Sequence, residues 1–138
     1  MDQSEYLPNA SNSITVRLRL TNKPGTLAQA TAAVVGANGV VAFGVARRLA
    51  AEVGALILIG TDRARLERSA ATLRARHAEL EIRTSIDPAD VGAADLVVTA
   101  TSSPGYVVGP EHVRPGAWIY DLGRPADVDP AVRGVPGV

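Results

Sequence analysis

An α/β domain with a doubly wound, mainly parallel sheet and an extra N-terminal strand is the fold class that the sequence predicts. Three observations lead there. Continuous apolar runs, Ala55-Leu56-Ile57-Leu58-Ile59 and Leu96-Val97-Val98-Thr99-Ala100, suit parallel strands covered on both faces. Segments with apolar residues at helical spacing lie between the runs, so strand and helix alternate from residue 31 onward. A further buried strand, residues 31 to 36, opens on Gly36-Ala37-Asn38-Gly39 and passes at once into a helical pattern.

Composition sets the outer limits. A chain of 138 residues has room for one domain with a sizeable core and none for a second full domain. The net charge of +0 gives no electrostatic case for nucleic acid or an anionic membrane. Hydrophobic residues make up 46%, yet charges interrupt every run well before the ~18 apolar residues that a bilayer span needs. The N-terminus Met1-Asp2-Gln3-Ser4-Glu5 is acidic and polar, unlike a signal or transit peptide, so a soluble, cytoplasmic protein is expected. With 0 Cys, disulfides, thiolate nucleophiles and Cys-ligated metals are excluded. Lys23 is the single lysine among 14 basic residues, which reads as coding bias.

Taken in order, residues 1 to 12 are polar, carry Pro8 and are expected to be loose. Ser13 to Leu20 alternates Ile14, Val16, Leu18 and Leu20 against Thr15, Arg17 and Arg19, the period of a strand with one buried face. Thr21-Asn22-Lys23-Pro24-Gly25 then breaks it. From Val40 to Val53 the apolar positions Val41, Val45, Leu49 and Val53 recur at four, with Ala42 and Ala46 on the same face. This predicts a helix ended by Gly54. Asp62 can cap the next helix, whose inner stripe is Leu66, Ala70 and Leu73. Leu80 and Ile82 mark a short strand, Asp87-Pro88-Ala89-Asp90 begins a single helical turn, and Ala117 to Asp121 is a last strand.

The candidate site follows from the glycine turn. Gly36, Gly39 and Ala42 form a relaxed version of the G-x-G-x-x-G spacing, giving a tight turn, close backbone approach and close helix-to-strand packing respectively. Backbone N–H groups of Asn38, Gly39, Val40 and Val41 would then cradle a dinucleotide pyrophosphate at the helix N-terminus. Gly36 and Ala37 belong to the same turn. Thr61, Asp62, Arg63 and Arg65 follow the second parallel strand, where an acidic group binds the 2′-hydroxyl of NAD and an arginine the 2′-phosphate of NADP. Thr99, Ala100, Thr101 and Ser102 end a later strand, where small hydroxyls can meet the nicotinamide ribose or simply form the turn before Pro104-Gly105. His77 reads as inert. His112 beside Glu111 reads as a surface residue with an open proton-transfer role. Tyr120-Asp121 reads as a packed Tyr and a turn-forming Asp. No Ser/His/Asp constellation, paired carboxylates or metal-ligand spacing is present, so catalytic residues are not assigned.

Two downstream blocks carry a family resemblance. Ala94-Asp95-Leu96-Val97-Val98-Thr99-Ala100-Thr101-Ser102-Ser103-Pro104-Gly105 and Val113-Arg114-Pro115-Gly116-Ala117-Trp118-Ile119-Tyr120-Asp121-Leu122-Gly123 resemble the fourth and fifth strands of amino-acid-dehydrogenase-like Rossmann domains. Shikimate dehydrogenase, methylene-tetrahydrofolate dehydrogenase and glutamyl-tRNA reductase belong to that superfamily. Leu27 to Gly39 and Val53 to Gly60 are similar, within it, to the long-chain acyl-[acyl-carrier-protein] reductases, which make fatty aldehydes with NADPH. The resemblance implies that residues 13 to 138 form one NAD(P)-binding domain, with NADP favoured and NAD open. It also implies a carbonyl-level or acyl substrate held by another domain. That family works through a cysteine outside the cofactor domain, so the chain by itself is expected not to turn over.

Residues 13 to 86 also resemble a different family, the ACT domain, an amino-acid-binding regulatory module. Ile14 to Leu27 is like its first strand and ligand loop, at Pro24-Gly25. In that reading Ala28 to Val35 is helix, Val40 to Leu49 strand and Glu52-Val53-Gly54 a hairpin turn. The helix-favouring Ala46-Arg47-Arg48-Leu49-Ala50-Ala51-Glu52 speaks against it. An N-terminal strand without an obvious partner makes a homodimer a further expectation.

Overall fold

The computed structural model describes residues 6–8, 14–16, 26–37 and 39–138. Strands β1 (Tyr6–Pro8) and β2 (Ile14–Val16) pair antiparallel in a sheet of their own, Tyr6 opposite Val16. Tyr6–Pro8 thus lies beside the described part of the predicted N-terminal strand. The rest of the expected strand, residues 17–20, and the Pro24-Gly25 loop lie outside the described residues.

After a short helix α1 (Thr26–Gln29), strand β3 (Thr31–Val35) leads to helix α2 (Val40–Ala50). Strand β4 (Ala55–Ile59), helix α3 (Arg63–Arg76) and strand β5 (Glu81–Ser85) follow. A 3₁₀ segment, Pro88–Ala93, precedes β6 (Leu96–Thr99), and after a long loop β7 (Trp118–Asp121) leads to a second 3₁₀ segment, Pro130–Gly134. The main sheet has five strands in the order β5-β4-β3-β6-β7, every neighbouring pair parallel. The order reverses between β3 and β6, which places the switch point there. The ACT-like arrangement is not what the chain adopts, since residues 31–35 are strand and residues 40–50 helix.

The pleat explains the apolar runs. Alternate residues of each strand point to opposite faces, so Ala32, Val34, Leu56, Leu58, Leu96 and Val98 enter one core cluster with α2 and α3. Ala33, Val35, Ile57, Ile59 and Val97 enter a second cluster on the other face. That second face is covered by Val91 and Val132 of the two 3₁₀ segments and by Val108 and Val113 of the long loop. Both faces are dry, so no strand of the centre alternates in polarity.

Helix α2 seats on the sheet through Ala42, Ala46, Leu49 and Ala50. The four-residue repeat Val41, Val45, Leu49, Val53 predicted a slightly different stripe. A step of four residues rotates a helix by about 40°, so such a row drifts across the surface. The row i, i+4, i+7, i+8 from Ala42 keeps one face inward, and its alanines let the helix approach closely. Val41 is left 63% exposed at the N-terminal end and Val45 is half-buried. In α3 the expected stripe Leu66, Ala70 and Leu73 is buried. Asp95 ties three strand beginnings together. Its carboxylate accepts the Thr31 N–H at 2.9 Å and bonds the Arg114 guanidinium, its N–H donates to Thr31, and its carbonyl accepts from Trp118.

Candidate dinucleotide cleft

The carboxyl ends of β3, β4 and β6 meet beside the switch point and enclose a cleft of about 400 Å³. Gly36 forms its floor at a φ of 90°, the left-handed region in which side chains are strained. A Cβ there would also lie 2.6 Å from the Ala100 carbonyl oxygen. Both reasons confine the position to glycine. The Gly36 and Ala37 N–H groups donate to the Ile59 carbonyl at 2.7 and 2.9 Å, which fixes the turn between β3 and β4. Asn38 lies outside the described residues.

Gly39 donates its N–H to Gly36 and starts α2 with extended backbone. The first intrahelical bond runs from Phe43 N–H to the Gly39 carbonyl, so the N–H groups of the turn before it lack helical acceptors. Gly39, at the capping position, has no side chain to cap them. The contrast within the fold is sharp. Asp62 caps α3 through the Arg65 N–H, Asp87 caps the first 3₁₀ segment through Ala89, and Asp129 caps the second through Ala131. At α2 the capping position carries no carboxylate and borders the cleft, a combination that favours an external anion.

At the β4 side, Thr61 lines the cleft and Asp62, Arg63 and Arg65 are exposed. Asp62 is the helix cap already described. Arg65, with Arg68, lines an adjoining groove that opens on Ala37, Gly39 and Val40. Val40, 90% exposed, stands at the same groove, and Val41 is likewise exposed outside the core.

At the β6 side, Ala100, Thr101 and Ser102 line the cleft as the sequence placed them. Thr99 does not join them. It is fully buried and donates its hydroxyl to Asp121 Oδ1 at 3.1 Å. A strand's alternate residues face opposite ways, so Thr99 belongs to the support beneath the loop. Asp121 also accepts the N–H groups of Gly123 at 2.8 Å and of Asp127 and Val128 at 2.9 Å. Burial pushes its carboxyl up, but the bonds from Gly123, Val128, Thr99 and Asp127 outweigh it, and the net direction is below the usual carboxylate value. Asp127 is fully buried, accepts the Thr101 N–H at 2.9 Å and bonds the Thr101 hydroxyl.

Sequence reasoning missed Asp127 and assigned Asp121 only a turn. Their partners lie 26 and 22 residues away, beyond the reach of any local pattern. It also missed Gly60 and Val107 in the cleft wall, whereas Ser103, read with Thr101 and Ser102 as a hydroxyl past the strand end, does line it. The one available signal was Asp121-Leu122-Gly123 closing an apolar strand. The histidines stand apart from the cleft. His112 Nδ1 accepts the Gly109 N–H at 3.0 Å, and His77 ends α3. Among the described residues no helix is long and apolar enough to cross a membrane.

Known proteins resemble this chain in sequence or in fold. The Bifunctional protein FolD of Parasynechococcus marenigrum (strain WH8102) is 38% identical over 92 residues, 66% of this chain and 29% of that protein. The chain spans less than a third of the length of the curated relatives it matches. The structure of Thermococcus litoralis Δ1-pyrroline-2-carboxylate reductase in complex with NADH and L-proline has the same fold. Its TM-score is 0.64 at 20% identity, over 76% of this chain and 34% of that one. The nucleotide-binding domain of Thermoplasma volcanium glutamyl-tRNA reductase matches with a TM-score of 0.54 at 22% identity, over 75% of this chain and 72% of that one. The family model of shikimate/quinate 5-dehydrogenase matches residues 19–138, which include all five strands of the parallel sheet, and the chain belongs to that family.

Proposed function

We propose that residues 13 to 138 are the NADP(H)-binding domain of an oxidoreductase that acts on a carbonyl-level substrate. One observation carries the reading: the N-terminus of α2, with Gly39 at its capping position, borders a switch-point cleft whose floor has no room for a Cβ at Gly36. The groups present fit a dinucleotide. The pyrophosphate is taken at the turn Gly36, Ala37, Asn38, Gly39, on the N–H groups of Asn38, Val40 and Val41, while those of Gly36, Ala37 and Gly39 hold the turn itself. Thr61, Asp62, Arg63 and Arg65 meet the adenosine ribose at the end of β4, and Ala100, Thr101 and Ser102 meet the nicotinamide half at the end of β6. Family membership and the shared fold of NAD(P)-dependent reductases support the assignment.

The cofactor, when bound, supplies or accepts hydride, while the chain binds and orients it. Arg65 and Arg68 beside the glycine turn support NADP, because a guanidinium fork suits a 2′-phosphate. Asp62, committed as a cap to the Arg65 N–H, is the feature that keeps NAD open. The substrate is held by a region outside this domain. The acyl thioester reduced by the acyl-[acyl-carrier-protein] reductases is one member of the proposed class. A cytoplasmic location goes with this reading.

Calorimetric titration of the chain with NADPH and NADH tests it. NADPH is expected to bind more tightly, and Arg65→Ala to weaken NADPH about tenfold with little change for NADH. Absence of binding by both cofactors overturns the proposal.

A further inference from the structure

Behind the cleft stands a pair of carboxylates whose role extends past a turn. Asp121 ends β7 and gathers the N–H groups of Gly123, Asp127 and Val128, folding the chain back on itself. That reversal delivers the Asp127 carboxylate, fully buried, beneath the loop after β6. There it takes both the N–H and the hydroxyl of Thr101. Thr101 in turn accepts the Ser103 N–H at 3.1 Å through the same hydroxyl. The loop wall of the cleft is thus fixed from behind by side chains that do not line it. The carboxylate lies against Gly123 so closely that a Cβ at that position would collide with it.

We infer that Asp127 is a positioning residue for the nicotinamide half of the dinucleotide, acting through Thr101, with Asp121 holding Asp127 in place. The inference rests on the proposed dinucleotide reading. The geometry separates the two halves of the ligand. The adenosine side lies over the end of β4, reached from the α2 turn, while Thr101 lies over β6 on the other side of the switch point. A fault in the Asp127–Thr101 clamp therefore reaches one half only. A loop correctly placed about a tenth of the time weakens its ligand about tenfold.

The test compares NADPH with 2′-phospho-ADP-ribose, which keeps the adenosine and pyrophosphate and lacks the nicotinamide. In Asp127→Ala the NADPH dissociation constant is expected to rise about tenfold, with that of 2′-phospho-ADP-ribose unchanged within about twofold. Asp127→Asn, which keeps one acceptor for the Thr101 N–H, is expected to recover most of the loss. Amide hydrogen exchange, read without ligand, is expected to quicken at Thr101 and Ser103 in Asp127→Ala and to stay unchanged in β4. Equal weakening of both ligands, or no weakening of NADPH, overturns the inference and leaves the dinucleotide reading standing. Failure of the wild-type chain to bind both ligands overturns that reading and the inference with it. Should Asp127→Ala fail to fold, Asp127→Ser, which withdraws the carboxylate from Thr101 and leaves a small polar side chain in its place, carries the same comparison, with NADPH selectively weakened.

Discussion

Single residues decide the geometry of the cleft. Gly36 combines a positive φ with a strand end pressed against the Ala100 carbonyl, so Gly36→Ala pays for both strain and collision. A loss of about 2–4 kcal/mol is expected in urea denaturation. A loss under about 1 kcal/mol would mean that the turn relaxes freely. Asp121 acts through charge. Its carboxyl is held below its ordinary value, so the folded state binds a proton there less readily than the unfolded chain. The stability it contributes is fully present above the ordinary carboxylate range of about pH 4 and is lost as pH falls through the lowered folded value. Asp121→Asn is expected to flatten the acid limb of a stability-versus-pH curve, read by denaturant midpoints between about pH 5 and 2. An unchanged acid limb would show that other carboxylates govern it.

At the scale of elements, the N-terminus of α2 is the informative one. Three other helical segments begin with a capping aspartate, and α2 begins with Gly39. Its extended backbone there, with φ −96° and ψ 165°, is one that any residue adopts, and an added Cβ would stand 3.3 Å from the Gly36 carbonyl oxygen, a tight contact met by a small shift. Gly39→Asp supplies the missing cap and a competing negative charge at once. Stability is expected to change by only a few tenths of a kcal/mol, while affinity for NADPH falls about tenfold or more. Opposite behaviour of the two measurements marks an anion site. A parallel fall of both would mark Gly39 as structural. Helix α3 provides the control, since Asp62→Ala removes an exposed cap and is expected to cost about 1 kcal/mol.

For the whole molecule, the sheet places the cleft on the carboxyl ends of three strands that run through both core clusters. Ligand binding and global folding are therefore linked. NADPH at a hundred times its dissociation constant is expected to raise the unfolding free energy by about 2.7 kcal/mol, seen as a higher melting temperature that depends on NADPH concentration. A concentration-independent melting temperature would contradict the proposed site. Core variants such as Leu58→Ala, at a fully buried position between β3 and β5, are expected to cost about 2–5 kcal/mol.

Much of this architecture is written locally. The apolar runs at residues 55–59 and 96–100, the Asp62 cap, the Leu66-Ala70-Leu73 stripe and the strand-glycine-helix order each depend on periodicities of a few residues, and the chain forms the corresponding elements. The α2 stripe was legible only approximately, because the repeat of four drifts and packing against the sheet selects the alanine face. The helical turn read at Asp87-Pro88-Ala89-Asp90 is the start of the first 3₁₀ segment, but the partner of the N-terminal strand and the cover of the second sheet face were decided in three dimensions. The same holds for the candidate site. Gly36 and the α2 turn could be read from spacing, because neighbouring backbone builds them. The removal of Thr99 into the interior and the recruitment of Asp121 and Asp127 behind Thr101 could not, because those bonds join residues more than twenty positions apart that meet only once parallel strands β6 and β7 lie side by side.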